Sequence, residues 1–316
     1  MDTPFEVETG KQAGGDGGTK GNGPRLLLVD GHAYAYRAFF AIRALRSPSD
    51  EPTNAIFGFV QMLTRLRAAV RASHALAVWD GGLAAERVAA WPAYKAQRPA
   101  MPDELRPQLD GMVAWLQAAG WSSFCADGVE ADDYIATVTR HAGAAGWPVV
   151  IASSDKDFMQ LVSATVGLFN PNDKTDRIWT AAEVRAKTGV PPEQVVDWLS
   201  LVGDTVDNIP GVPGVGPKTA AALLAEFGSV AGIYARLPQV KGERLRANLA
   251  AAEESVRRNQ ALVRLNPELP CAWDPAGLAI RSADAAQLRE LYARWGFRSL
   301  LAALGPATPA SQTSWW

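Results

Sequence analysis

Arg25-Leu26-Leu27-Leu28-Val29-Asp30 is a short apolar run that stops on an acid. The pattern returns in His74-Ala75-Leu76-Ala77-Val78-Trp79-Asp80, and Pro148-Val149-Val150-Ile151-Ala152 leads into Ser153-Ser154-Asp155-Lys156-Asp157. Each run reads as a buried strand with carboxylates at its C-terminal end. Between them lie stretches with apolar residues at helical spacing, Ala55 to Ala72 and Pro107 to Ala119. Strands alternating with helices predict an α/β fold with a mostly parallel central sheet flanked by helices. Ligands of such sheets collect at the carboxyl ends of the strands, so the three acid groups are expected on one edge.

Outward from this centre the character of the chain changes twice. Residues 1–24 are rich in Gly, Thr, Asp and Lys and offer little to a core, which predicts a disordered arm. From about Pro191 the strand-like runs thin out and short helices with Gly/Pro turns take over: Glu193 to Val202, Gly216 to Glu226, Glu243 to Leu265. The expected division is an α/β domain over 25–190, a helical domain over 191–304, and a flexible tail over 305–316. Trp315 and Trp316 on that tail have no physical account.

Nine acids stand out: Asp30, Asp80, Glu130, Asp132, Asp133, Asp155, Asp157, Asp204 and Asp207. Singly each has an ordinary explanation, as a helix cap or as an acid favoured in a first helical turn. Together they come from several segments that the fold delivers to one edge. So many carboxylates share a small region only when cations balance them, because like charges a few ångström apart raise one another's pKa. With three His in the chain and neither Cys nearby, the donors are hard oxygens, which select Mg²⁺ or Mn²⁺. Two such ions are a usual device for phosphodiester hydrolysis.

Directly after Asp207 runs Asn208-Ile209-Pro210-Gly211-Val212-Pro213-Gly214-Val215-Gly216-Pro217-Lys218-Thr219-Ala220. A Gly-Val-Gly turn opening onto an Ala-rich helix is a helix-hairpin-helix pattern. It can grip a DNA phosphate through backbone N–H groups and a nearby lysine, without reading base sequence. Gly211, Val212, Gly214, Val215, Gly216, Lys218 and Thr219 are the candidate DNA-binding residues. A basic strip follows Asp80: Arg87, then Tyr94-Lys95-Ala96-Gln97-Arg98. A helix there would set Lys95 and Arg98 on one face, suited to a phosphate held near the metals. Arg37, just past Asp30, is a further candidate, and Tyr36, Phe39 and Phe40 beside it can either stack on a terminal base or pack in the core. His32 reads as a satisfied polar contact.

The bulk numbers permit this. The chain has 316 residues, 48% hydrophobic and 20% charged, with no apolar run near the roughly 18–20 residues that span a bilayer. Its start lacks the hydrophobic stretch of a secretory signal. Cys125 and Cys271 are far apart, which argues against a disulfide framework or structural zinc. The expected address is the cytoplasm, in association with the nucleoid. A net charge of −2 is unusual for a DNA-binding chain, but without the nine acids the remainder carries about +7.

These motifs together resemble the 5′-nuclease family, the 5′→3′ exonucleases and flap endonucleases found at the N-terminus of bacterial DNA polymerase I and as stand-alone enzymes. The resemblance runs from about Arg25 to Leu304. It rests on Leu28-Val29-Asp30-Gly31, Trp79-Asp80, Tyr94 to Arg98, Gly128 to Asp133, Ser154 to Asp157, and Gly203 to Gly216. It implies one metal site from Asp30, Asp80, Glu130, Asp132 and Asp133, and a second from Asp155, Asp157, Asp204 and Asp207. It further implies that Lys95 and Arg98 belong to a helical gateway for a 5′ single strand, and that the hairpin holds a monovalent cation such as K⁺. The implied partner is DNA with a 5′ end or flap. The chain is expected to be a monomer, off the membrane, acting alone or beside a separate DNA polymerase.

Three alternatives compete. A DNA-binding module without chemistry would keep the hairpin and leave the acids idle. A helix-hairpin-helix glycosylase needs an Asp roughly 20 residues beyond the hairpin, but none occurs between Asp207 and Asp274. A haloacid-dehalogenase phosphatase needs an Asp two positions after Asp30, where His32 stands.

Overall fold

The structure, a computed structural model, describes residues 23–305; the expected arm (1–24, save its last two residues) and tail (305–316, save its first) lie outside them. Six strands form one sheet: β1 Leu26–Asp30, β2 His74–Val78, β3 Ser122–Phe124, β4 Val149–Ala152, β5 Val166–Phe169 and β6 Ile178–Trp179. Their order is β3-β2-β1-β4-β5-β6, all parallel except β6. The mixed α/β class expected from the sequence is therefore the observed one. The strands β3, β5 and β6 were not legible: they are two to four residues long, and β3 and β5 carry Ser or Gly within them.

The apolar runs owe their character to burial on both faces. In β1, Leu26 and Leu28 join one core while Leu27 and Val29 join another, all fully buried. Helices α1 (Gly31–Ala41), α2 (Asn54–Val70) and α4 (Arg106–Ala118) cover the second face, through Tyr34, Phe59, Met112 and Trp115. A short α3 (Ala85–Ala90) precedes α4, and α5 (Ala131–Ala144) covers the first face through Ile135 and Val138. The chain builds β1, β2 and β3 outward in one direction, then returns to lay β4 on the other side of β1. The crevice above the β1/β4 pair is the switch point where such sheets bind ligands.

After α6 (Ala181–Thr188) the helical part begins: α7 Val195–Val202, α8 Pro217–Phe227, α9 Val230–Ala235 and α10 Glu243–Val263. A two-residue ladder, β7 (Gly203–Asp204) with β8 (Ile209–Pro210), interrupts it between α7 and α8. These helices have no core of their own. Val195, Leu199 and Leu224 are continuous with Leu26, Ile135 and Phe158 under the first face of the sheet.

The expectation of one helical domain running to 304 needs correction. Past Leu265 the chain stays on the first core through Leu269, Trp273 and Leu278 of α11 (Pro275–Leu278), then crosses to the opposite face, where α12 (Ala285–Trp295) and α13 (Arg298–Ala303) follow. Leu288, Tyr292 and Trp295 of α12 fill the second core, and Trp115 Nε1 donates to Tyr292 Oη at 3.0 Å. The stripe of α12 is apolar because it closes the α/β layer. Among the described residues no helix is long and apolar enough to cross a membrane.

Candidate active site

The acids at the strand ends are fixed first by local backbone. Asp30 caps α1, accepting from Ala33 N–H at 3.0 Å, and its other oxygen accepts from Ser153 Oγ–H at 2.8 Å. Asp80 accepts from Ala131 N–H at 2.9 Å, so it caps α5 from another segment. Asp155 accepts from Asp157 N–H at 2.9 Å at the start of the 3₁₀ turn Lys156–Leu161, and Asp204 from Val206 N–H at 2.9 Å. The capping explanation and the site explanation are thus compatible, since one carboxylate oxygen anchors the rotamer that presents the group.

Six of the nine, Asp30, Asp80, Asp132, Asp155, Asp204 and Asp207, line one cavity of about 560 Å³ at the switch point, with His32, Lys95, Arg98 and Lys156. Burial, then the Asp80 carboxylate, pushes Asp30 up to about 7. Burial, then Asp155, raises Asp132 well above the carboxylate range. Asp155 is raised by burial and by Asp207 and Asp204, and Asp157 strongly by burial and by Asp155. Asp157 stands behind the lining with its Oδ1 buried and without a hydrogen-bond partner. An orphaned carboxylate oxygen beside three other carboxylates is a place that lacks a positive charge.

The remaining two acids are placed differently from the expected ligand set. Asp133 is clasped by Arg87 through two bonds of 2.8 and 2.7 Å and accepts from Asn266 N–H at 2.8 Å. Its carboxylate is spent on holding α3, α5 and the segment after α10 together, and it does not line the cavity. Glu130 is almost fully buried below the cavity. It is bonded to Lys95 Nζ, to Tyr94 Oη at 3.1 Å and to Ala84 N–H at 2.9 Å. Although burial opposes it, the Lys95 ammonium keeps the Glu130 carboxyl below its usual range.

Among the described residues no three acid, His or Cys side chains stand close enough together to hold an ion as placed. The carboxylates ring the cavity and basic groups stand between them: Lys156 Nζ is 3.2 Å from Asp204 and Arg98 2.6 Å from Asp207. Mutual repulsion and these pairs spread the acids along the wall. The donor chemistry nonetheless fits a hard divalent cation: all oxygen, mostly buried, with one orphan.

Lys95 and Arg98 reach the cavity, but not from a helix. Residues 92–97 are turns that open on Pro92, Pro99 follows Arg98, and Lys95 has φ +55°. The expected helical gateway is therefore corrected to a turn segment between α3 and α4. Arg37 is also misplaced by the sequence expectation. Ala33 and Tyr36 of α1 face the cavity, whereas Arg37, one position on, points to Asn172 and lines a separate hollow with Tyr34 and Arg65. His32 is the satisfied contact expected, accepting from Asp80 N–H at 3.1 Å. Phe40 is 70% exposed and stacked on Tyr36 at 6.4 Å, so it is no core residue.

The hairpin follows Asp207. Gly211 packs so tightly on α7 that a Cβ would lie 2.1 Å from Val202 O, so this glycine serves backbone packing. Val212 and Val215 are buried, and their N–H groups donate to Leu201 O and Val212 O. That occupies two of the expected DNA contacts. Gly214, with φ +79°, and Gly216 have open surroundings, and Lys218 is exposed in the first turn of α8. The first-turn N–H groups at Lys218 and Thr219 have no intrahelical partner by helix geometry.

Lys156 and Asn208 were given no role in sequence, and Arg87 was read as part of a basic strip instead of as the clasp of Asp133. The signal for Lys156 was its place between two candidate ligands; those for Arg87 and Asn208 are partners far along the chain.

Residues 25–189 match the family model described as "5'-3' exonuclease, N-terminal resolvase-like domain", and residues 190–286 match "5'-3' exonuclease, C-terminal SAM fold". A 5′-3′ exonuclease of Aquifex aeolicus is 37% identical over 276 residues, 87% of this chain and 93% of that protein. DNA polymerase I of Bacillus caldotenax is 35% identical over 279 residues, 88% of this chain but 32% of the polymerase, so the chain spans about a third of that relative. Among solved structures, the bacteriophage T5 5′-exonuclease with bound zinc superposes with a TM-score of 0.64 at 24% identity, covering 89% of this chain and 98% of that one. The catalytic core of Rad2 in complex with DNA substrate gives 0.61 at 16% identity, covering 89% and 92%. At such identities the two structures speak for the fold.

Proposed function

The chain belongs to the 5′-3′ exonuclease family, and on that premise we propose that it hydrolyses phosphodiester bonds of DNA bearing a 5′ end or flap, with two divalent ions held at the acidic cavity. Mg²⁺ is the proposed ion, with Mn²⁺ able to substitute. The observation that carries this is the convergence of six aspartates from five segments on one cavity, beside a hairpin with open glycines and an exposed lysine.

Asp30, Asp80 and Asp132 would hold one ion, and Asp155, Asp157, Asp204 and Asp207 the other. Such ions, when bound, acidify an attacking water and offset the charge that develops on the phosphoryl group. The chain's own residues supply the rest. Lys95 and Arg98 stand at the cavity wall, where their charges orient and neutralise the scissile phosphate. Gly214, Gly216, Lys218 and Thr219 take a duplex phosphate without reading bases, which registers the duplex against the cavity. Tyr36, on the cavity wall, and exposed Phe40 offer rings on which an unpaired base can stack. The same proposal gives the hairpin a K⁺ ion and gives the chain, as a monomer, a separate polymerase as its cellular companion in primer removal or repair.

A DNA-binding module without chemistry draws on one observation, the pairs that already neutralise Glu130, Asp204 and Asp207. An end-labelled 5′-flap duplex decides between them. The nuclease releases short 5′ products with Mg²⁺ and none with chelator. A module shifts the DNA on a native gel and releases nothing in either condition.

A further inference from the structure

Residues 91–98 bring Lys95 and Arg98 to the cavity without forming a regular element, so their order depends on what they are fastened to. The fasteners converge. Lys95 N–H donates to Asp207 O at 3.0 Å, Trp91 Nε1–H to Asn208 O at 2.9 Å, and Asn208 Nδ2 to Ala93 O at 2.8 Å. Asn208 has φ +56°, which asparagine tolerates better than most residues. It stands one residue before β8, which runs straight into Gly211 and the hairpin. From the other side, Arg258 of α10 lies over the Trp91 ring, 4.0 Å from its centre. Its neighbour Asn259 donates to Ser200 O at 3.1 Å and Pro210 O at 2.8 Å. Turn segment, Asp207 and hairpin therefore share one set of ties.

We infer that Trp91 and Asn208 are positioning residues, a strut that transmits the seating of duplex at the hairpin to Lys95 and Arg98. Neither lines the cavity, so neither acts on the reacting phosphate directly. The inference rests on the nuclease activity proposed above. It goes further in making the placement of the basic pair depend on an engaged hairpin.

Two substitutions separate the strut from the fold. Asn208→Gly keeps the positive φ and removes the Nδ2 bond; Trp91→Phe keeps a ring under Arg258 and removes the Nε1 donor. Single-turnover cleavage of a flap with Mg²⁺ should slow by roughly ten- to a hundredfold in each. The half-saturating DNA concentration and its salt dependence should stay as in the parent. The slowing should vanish in a Lys95→Ala/Arg98→Ala background, because the strut acts through those two residues. Plain duplex should slow hydrogen exchange at the Lys95 amide in the parent and not in Asn208→Gly. The strut is overturned if the losses multiply with Lys95→Ala/Arg98→Ala, if they appear in binding instead of rate, or if duplex protects the Lys95 amide equally in both proteins. A parent that cuts no flap refutes the nuclease proposal, while the exchange comparison still decides the coupling.

Discussion

Asp132 and Asp133 are chain neighbours at the start of α5, yet one carboxylate lines the acidic cavity and the other is clasped by Arg87. Their variants should differ accordingly. Asp133→Ala takes the bidentate partner from a guanidinium buried beside α5 and leaves it only Glu130 at 3.4 Å, at a cost of about 3 kcal/mol. Its urea midpoint should fall well below that of the parent. Asp132→Ala removes a carboxylate that burial and Asp155 already disfavour, so its midpoint in chelator should hold or rise. Its flap cleavage should drop by at least about a hundredfold while DNA binding persists. A stable Asp133→Ala, or an active Asp132→Ala, would reverse the assignment. The strand-end acids were legible because an apolar run closing on an aspartate is local. The fate of Asp133 was not, because Arg87 lies 46 residues away and Asn266, whose N–H also donates to Asp133, lies 133 away. Arg37 was misread despite a readable signal: once Asp30 caps α1, Ala33 and Tyr36 share the inward face and Arg37 falls outside it.

The hairpin and the turn segment show how elements divide labour. Gly203 and Gly211 are needed where two backbones touch, and Gly214 and Gly216 where the surface is open. In sequence all four read alike, because the distinction lies in which strand of backbone faces which. Lys218, exposed at the start of α8, belongs to the open side. Lys218→Ala should weaken binding of duplexes of any sequence and reduce the salt slope by about 1. An unchanged slope in a salt titration would remove Lys218 from the DNA contact. The turn segment was predicted helical because Lys95 and Arg98 have helical spacing. Pro92, Pro99 and the bonds to Asp207 and Asn208 hold it in turns instead.

Across the whole molecule, charge balance couples the cavity to stability. Asp30 has a folded-state value of about 7 against an ordinary value of 3.8. Between those pH values the folded chain holds a proton that the unfolded chain releases, so stability falls as pH rises through that window. Asp132, Asp155 and Asp157 are shifted in the same direction, chiefly by burial. Glu130 is shifted the other way, below its ordinary 4.5, and contributes at lower pH. In chelator, Tm should therefore be higher at pH 5.5 than at pH 8, and Mg²⁺ should raise it more at pH 8. A Tm that climbs from pH 5.5 to 8 in chelator would contradict that balance. The two-faced sheet and its switch point were legible from three apolar runs; the return of α12 to the α/β layer was not, because an amphipathic helix does not announce which face it covers. The central claim, that divalent cations balance these carboxylates, is tested most directly by Mn²⁺ titration followed by electron paramagnetic resonance. Two ions should bind per parent chain, with one site lost in Asp132→Ala and the other in Asp155→Ala. No binding by the parent, or the same two ions in both variants, would contradict it.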